Sequence, residues 1–192
     1  MSKSTKMMIT VIAILLVIGL AVTVIILTNS KANKSSITIN SAEDLENLIS
    51  KVYEGQEDKI PSSAQTQVID VKDEVMVKSF TGLDNGDDLQ YLVVSEPMIS
   101  SQAYSFVLAT VKEGVDANKI AQTIKDQVDY RKWICVSAEK VYTTSSGNIV
   151  CLVMSSEEVA KPIYEKFKTL AGAVGQEYEK TEQIELPPEM YE

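Results

Sequence analysis

Residues 7–27 run for 21 positions without a charged side chain. Only Thr10 and Thr23 bring hydroxyls into the run, and each can bond back to a carbonyl one turn earlier in a helix. At ~1.5 Å per residue such a helix is about 31 Å long, against a hydrocarbon core of roughly 30 Å. Gly19 suits it, because glycine is common in membrane spans. A buried strand of this Ile, Val and Leu content would be far shorter, and in lipid a lone segment satisfies its backbone only as a helix. The run predicts a transmembrane helix.

A cleaved signal peptide is the main competitor, and Ser30 and Ala32 offer a small-x-small pattern. Its apolar region would span about 7 to 15 residues, so the excess length favours an uncleaved signal anchor. A lipid-carrying cysteine is excluded, since the first Cys of the chain is Cys135. Lys3, Lys6 and the terminal amine precede the run and Lys31 and Lys34 follow it, a slight positive-inside bias. The expectation is a single-pass protein of the cell membrane, N-terminus in the cytoplasm and C-terminal domain outside. Its organisation reads as a cytoplasmic tail at 1–6, the membrane helix at 7–27, a linker at 28–40, an extracytoplasmic domain at 41–172 and an acidic tail at 173–192.

Charge narrows the partners. The 18 Lys and Arg lose Lys3 and Lys6 to the tail, leaving 16 against 27 acids, or −11 for everything beyond the run. Such a segment is repelled by anionic lipid and by nucleic acid, so no nucleic-acid partner is expected. The membrane, through 7–27, is the expected contact, with another envelope protein as a second. The polar stretch 28–36 suits a tether that holds the domain off the bilayer.

Beyond the linker, local signals read as α+β. Ser41 and Asp44 make a capping box for a helix whose stripe is Leu45, Leu48, Ile49 and Val52, stopped at Gly55. Val68, Ile69 and Val71 suggest a strand, and Val75, Val77 and Phe80 alternate as a second. Asp84-Asn85-Gly86-Asp87 reads as a turn, with Gly86 free to take positive φ. Residues 89–94 and 104–111 read as strands. Asp116 caps a helix with stripe Ala117, Ile120, Ala121, Ile124 and Val128. Strands at 136–143 and 148–154 flank a turn at Ser145-Ser146-Gly147. A last helix opens near Ser155 and Glu158, buries Val159, Ile163, Phe167 and Leu170, and is kinked at Pro162 or begins there. The tail from 177 to 186 is either a weak final strand or disordered. The expected fold is α+β, a mostly antiparallel sheet with helices packed on one face, the ferredoxin-like order from 104 onward being one form of it.

The chain contains no His, which removes Ser-His-Asp and Cys-His pairs, HExxH sites and His-ligated metals together. Asp84, Asp87 and Asp88 surround Gly86, but position twelve of a calcium loop counted from Asp84 is Ser95 rather than Glu. No phosphate-cradling glycine motif, GxSxG or, beyond the membrane run, SxxK occurs. No catalytic residue, metal ligand or cofactor is therefore expected. Cys135 and Cys151 lie in apolar runs and read as buried thiols; a hairpin turning at Ser146-Gly147 would place Cys151 opposite Tyr142, far from Cys135. Arg131, Lys132 and Trp133 form the one basic-aromatic cluster. Two readings stand for it, a partner contact and a structural close to the preceding helix. The C-terminal Pro187-Pro188-Glu189-Met190-Tyr191 is one residue too long for a PPxY ligand.

Thr81-Gly82-Leu83, Ser95-Glu96-Pro97-Met98 with Ser101-Gln102-Ala103-Tyr104, residues 132–136, and Gly147 with Cys151-Leu152-Val153-Met154 carry a family resemblance. Over about 65–172 the chain resembles a domain-of-unknown-function family of uncharacterised, membrane-tethered extracytoplasmic proteins of Gram-positive bacteria. Many of that family look like lipoproteins, and this chain departs by using a helical span. The resemblance implies a compartment and domain limits and transfers no site residue. With no catalytic motif, the expected role is a non-catalytic interaction or sensing module of the cell envelope; the alternative is an envelope hydrolase working with carboxylates.

Overall fold

The computed structural model describes residues 35–98 and 102–182. The expected membrane span at 7–27, the expected cytoplasmic tail at 1–6 and the end of the acidic tail lie outside the described residues. Among the described residues no helix is long and apolar enough to cross a membrane.

Ten elements follow one another: α1 (Ala42–Tyr53), β1 (Ala64–Ile69), α2 (Glu74–Thr81), β2 (Leu89–Pro97), β3 (Ser105–Val111), α3 (Ala117–Gln127), β4 (Lys140–Ser146), β5 (Ile149–Ser155), α4 (Glu157–Ala171) and β6 (Tyr178–Thr181). The fold is α+β. The strands form one antiparallel sheet in the order β1-β2-β3-β5-β4-β6.

Capping set the helix starts as expected in two cases. Ser41 and Asp44 form a reciprocal capping box on α1, whose Leu45, Leu48, Ile49 and Val52 are buried. Asp116 accepts from the amides of Asn118 and Lys119 at the start of α3. Each buried Leu, Ile or Val side chain in these stripes stabilises the fold by about 1.5–3 kcal/mol.

The helices do not share one face, contrary to the expectation that they would. α2 and α3 pack on the face that carries Leu92, Val94, Val107, Val141, Val150 and Leu152. α1 and α4 pack on the other, with Val93, Phe106, Leu108, Cys151 and Val153. The cause lies in the crossovers. β3 reaches β4 through α3 by stepping over β5, and β5 reaches β6 through α4 by stepping over β4. Both steps run the same way along the sheet, from strands that are themselves antiparallel. Right-handed connections then place the two helices on opposite faces. In a ferredoxin-like sheet the second step returns to the edge of the first strand; here β2 holds that edge, and the last strand goes to the far side.

Three local expectations also change. Residues 74–81 are the helix α2 rather than a strand, with Asp73 accepting from the amide of Met76 at one end and Gly82 in the left-handed region at the other. Val77, Phe80 and Thr81 are buried while Val75 is 78% exposed, a period of three to four rather than two. The β4–β5 hairpin turns at Gly147-Asn148, pairing Ser146 with Ile149, so Cys151 faces Thr144 rather than Tyr142. Gly86 does not take positive φ. It serves close approach instead, since a Cβ there would stand 2.2 Å from the Val71 carbonyl oxygen.

The last helix runs through Pro162 from a start at Glu157, and the polypeptide after it pairs with β4 as β6. At the other end Ser35 bridges to Gly172, and Ile37 and Ile39 pack into the α1/α4 core.

Candidate functional site

The segment between α3 and β4 carries the basic-aromatic cluster. It is irregular rather than the start of a strand, and is held by an Ala138 amide to Tyr130 carbonyl bond of 2.9 Å and by Asp129 accepting from the Arg131 amide at 2.8 Å. Its three side chains diverge. Trp133 enters the α2/α3 core. Arg131 stays at the surface, 3.3 Å from Glu182 and over the ring of Tyr130.

Lys132 turns inward. Its ammonium pairs with Glu96 on β2 and donates to the Ser79 carbonyl at 3.3 Å. It lies 4.9 Å from the centroid of Phe80 and 5.3 Å from that of Trp133. The two charged side chains are only 13% and 15% exposed. Burial lowers the Lys132 pKa from its ordinary value, and the opposing pull of Glu96 does not restore it. α2 thus supplies a ring and a carbonyl, β2 the counter-ion and the loop the cation. The arrangement ties one face of the sheet to the segment that follows α3, and its donors are directed to partners within the chain. Glu96, 36 residues away in sequence, was missed as a member of the site. The signal available was that it is the one charged residue in β2.

A cleft of about 450 Å³ opens at the start of α4, walled by Lys59, Tyr104, Ser137, Glu139, Ser155 and Val159. Several of its polar groups are engaged. Glu139 accepts from the Glu157 amide at 3.0 Å and so caps α4, where Ser156 makes no side-chain capping bond. Ser155 donates to the Ala103 carbonyl at 2.8 Å, and Ser137 to Glu182 at 2.6 Å. The Tyr104 and Tyr53 hydroxyls bond each other at 2.8 Å, and burial pushes Tyr104 well above the ordinary tyrosine range. Such a wall is polar, and its one hydroxyl–carboxylate contact among these bonds is that of Ser137 with Glu182. A second cleft, of about 500 Å³, lies between α3 and the turn after α2 and is lined by Asp84, Asp88, Asp116 and Lys119. Among the described residues no group of three potential metal ligands converges.

The cysteines separate. Cys151 is buried in β5, and burial raises its thiol well above the ordinary range. Cys135 is exposed, contrary to the expectation of two buried thiols, and adopts φ +63°. The run Trp133-Ile134-Cys135-Val136 is a loop that sends Trp133 inward and Ile134 and Cys135 outward, so its apolar composition did not mark a strand. A membrane-impermeant maleimide is expected to modify one thiol in the folded protein and two after denaturation, read by mass. Modification of both without denaturant would show that β5 is open to solvent.

No family model matches the chain, and no curated protein or solved structure matches it either.

Proposed function

We propose that this protein is a single-pass, membrane-anchored module displayed outside a bacterial cytoplasm, with a non-catalytic interaction or sensing role in the cell envelope. The observation that carries this reading is the 21-residue uncharged run at 7–27, set ahead of a compact unit that begins at Ser35. The state of the ionisable groups supports the non-catalytic part. Lys132, Glu96, Glu139, Lys140 and Glu179 are spent on contacts that hold elements together.

Protease added to intact cells is expected to remove the bulk of the chain, and carbonate washing is expected to leave the intact protein in the membrane fraction. A protected chain, or one released by carbonate, overturns the anchored, outward-facing reading. Turnover of a cell-wall fragment by the purified protein overturns the non-catalytic reading and favours carboxylate hydrolysis.

A further inference from the structure

We propose that β1 is the pairing edge for a second copy of this chain, joining two six-stranded sheets into one across a two-fold axis through Gln67. The two sheet edges are unlike. β6 is four residues long and carries Glu179 and Lys180, the short, charged form that resists further pairing. β1 is six residues long, and residues 60–69 contain no charged side chain in a chain of net charge −9. Gln65, Thr66, Gln67 and Val68 are all exposed, so both faces of the sheet are bare at this margin, and Val68 is 50% exposed.

Hydrogen-bond parity fixes which groups are free to pair. The Met98 amide donates to the Ser63 carbonyl, and the register places Ala64 opposite Pro97. Ser63, Gln65, Gln67 and Ile69 therefore face β2, because bonded and non-bonded pairs alternate in an antiparallel ladder. Thr66 and Val68 direct their N–H and C=O groups away from the sheet. A two-fold through Gln67 sets Thr66 of each copy opposite Val68 of the other and uses all of those groups. A two-fold through Thr66 would instead need the Ala64 amide, which is already donated to the Pro61 carbonyl at 2.8 Å.

Three features select a second copy as the occupant. The edge is self-complementary at this register, with a β-branched pair on either side of the axis. It is the uncharged margin of an acidic molecule, so like-charge repulsion between copies is least there. The axis also stands normal to the sheet, so the α1/α4 faces of both copies look the same way. Ser35, bridged to Gly172 beside α4, and the Ile37 and Ile39 that follow it lie with that face. Ser35 of both copies then lies on the same side of the joined sheet, which suits two chains rooted in one membrane. In this respect the interface deepens the anchored reading proposed above, while the edge geometry stands without it.

The test uses the full chain in its native membranes, with Cys135→Ser removing the exposed thiol. At a non-bonded antiparallel pair the Cα atoms lie about 4.5 Å apart, within disulfide range. Gln67→Cys is therefore expected to oxidise to a covalent dimer of twice the 21.1 kDa chain, and Val75→Cys, also at an exposed position but on α2, to remain monomeric. Adding Thr66→Lys and Val68→Lys, both at exposed positions, opposes like charges across the axis and is expected to reduce the Gln67→Cys dimer about fivefold or more with an unchanged circular-dichroism spectrum. A Gln67→Cys yield no higher than that of Val75→Cys, or one indifferent to the lysines, overturns the interface. Carbonate extraction of the same samples reads the anchor separately. Loss of the dimer with the chain still membrane-bound leaves the anchored reading standing. Release of the chain overturns that reading, and the dimer is then judged by oxidation of the released chain at matched concentration.

Discussion

Lys132→Met is expected to cost about 3–5 kcal/mol of unfolding free energy, because it leaves the Glu96 carboxylate buried with no counter-ion. Glu96→Leu is expected to lose a similar amount by stranding the ammonium. At 13% and 15% exposure the pair belongs with buried ion pairs rather than with surface pairs, whose median worth is about 0–1 kcal/mol. The direction of the Lys132 shift decides what removing both charges does. Burial lowers that pKa more than Glu96 raises it, so desolvation outweighs attraction at this site. The double variant Lys132→Met, Glu96→Leu is therefore expected to match or exceed the parent protein, as apolar replacements of buried pairs often do. Urea unfolding of the four proteins closes the cycle. Single variants that each lose under about 1 kcal/mol would show that water reaches the pair and that the Phe80 and Trp133 rings do not seal it.

Legibility of the sequence followed the range of the interaction. Caps and stripes involve residues three or four apart, and the Ser41 box, the Asp116 cap and the α1 and α3 stripes were read correctly from spacing alone. α2 was misread because Val75 and Val77 alternate over three residues, too short a window to separate a period of two from one of 3.6. Asp73 and Gly82, the cap residues at its two ends, were the stronger cue and were passed over. The two-sided covering of the sheet was also written locally. Ile149-Val150-Cys151-Leu152-Val153-Met154 is apolar at every position, and each of those side chains is buried, as happens only in a strand covered on both faces. The route of β6 was not legible, since the edge it joins depends on β2 already occupying the other. Within the candidate site, the cation and the indole were visible as neighbours. The partners of Lys132 were not, because Ser79, Phe80 and Glu96 reach it only through the packing of α2 and β2.

Gly82→Ala is expected to destabilise the protein by about 2–5 kcal/mol, from two separable causes. Gly82 ends α2 at φ +78°, donating its amide to the Lys78 carbonyl at 2.9 Å, and a side chain in that left-handed conformation costs roughly 1–2 kcal/mol. The remainder is steric. A Cβ at this position would lie 2.5 Å from both the Gln127 carbonyl carbon and the Val128 nitrogen, where α3 ends, and backbone cannot swing aside as a flexible side chain can. Gly55→Ala isolates the first cause, for Gly55 also has positive φ, at 76°, with nothing within 4 Å of its would-be Cβ. In a domain of about 150 residues each kcal/mol moves the thermal midpoint by about 2–4 °C, so the two alanine variants should differ by several degrees. Equal midpoints would mean that the ends of α2 and α3 do not meet. The same contact bears on the buried pair. Forcing α2 away from α3 also withdraws the Ser79 carbonyl and the Phe80 ring from Lys132 and admits water to the ammonium. Lys132→Met should accordingly cost less in a Gly82→Ala background than in the parent. That non-additivity, of about 0.5–3 kcal/mol for sites sharing one packed element, is what a double-mutant cycle would detect if α2 is the wall of the site.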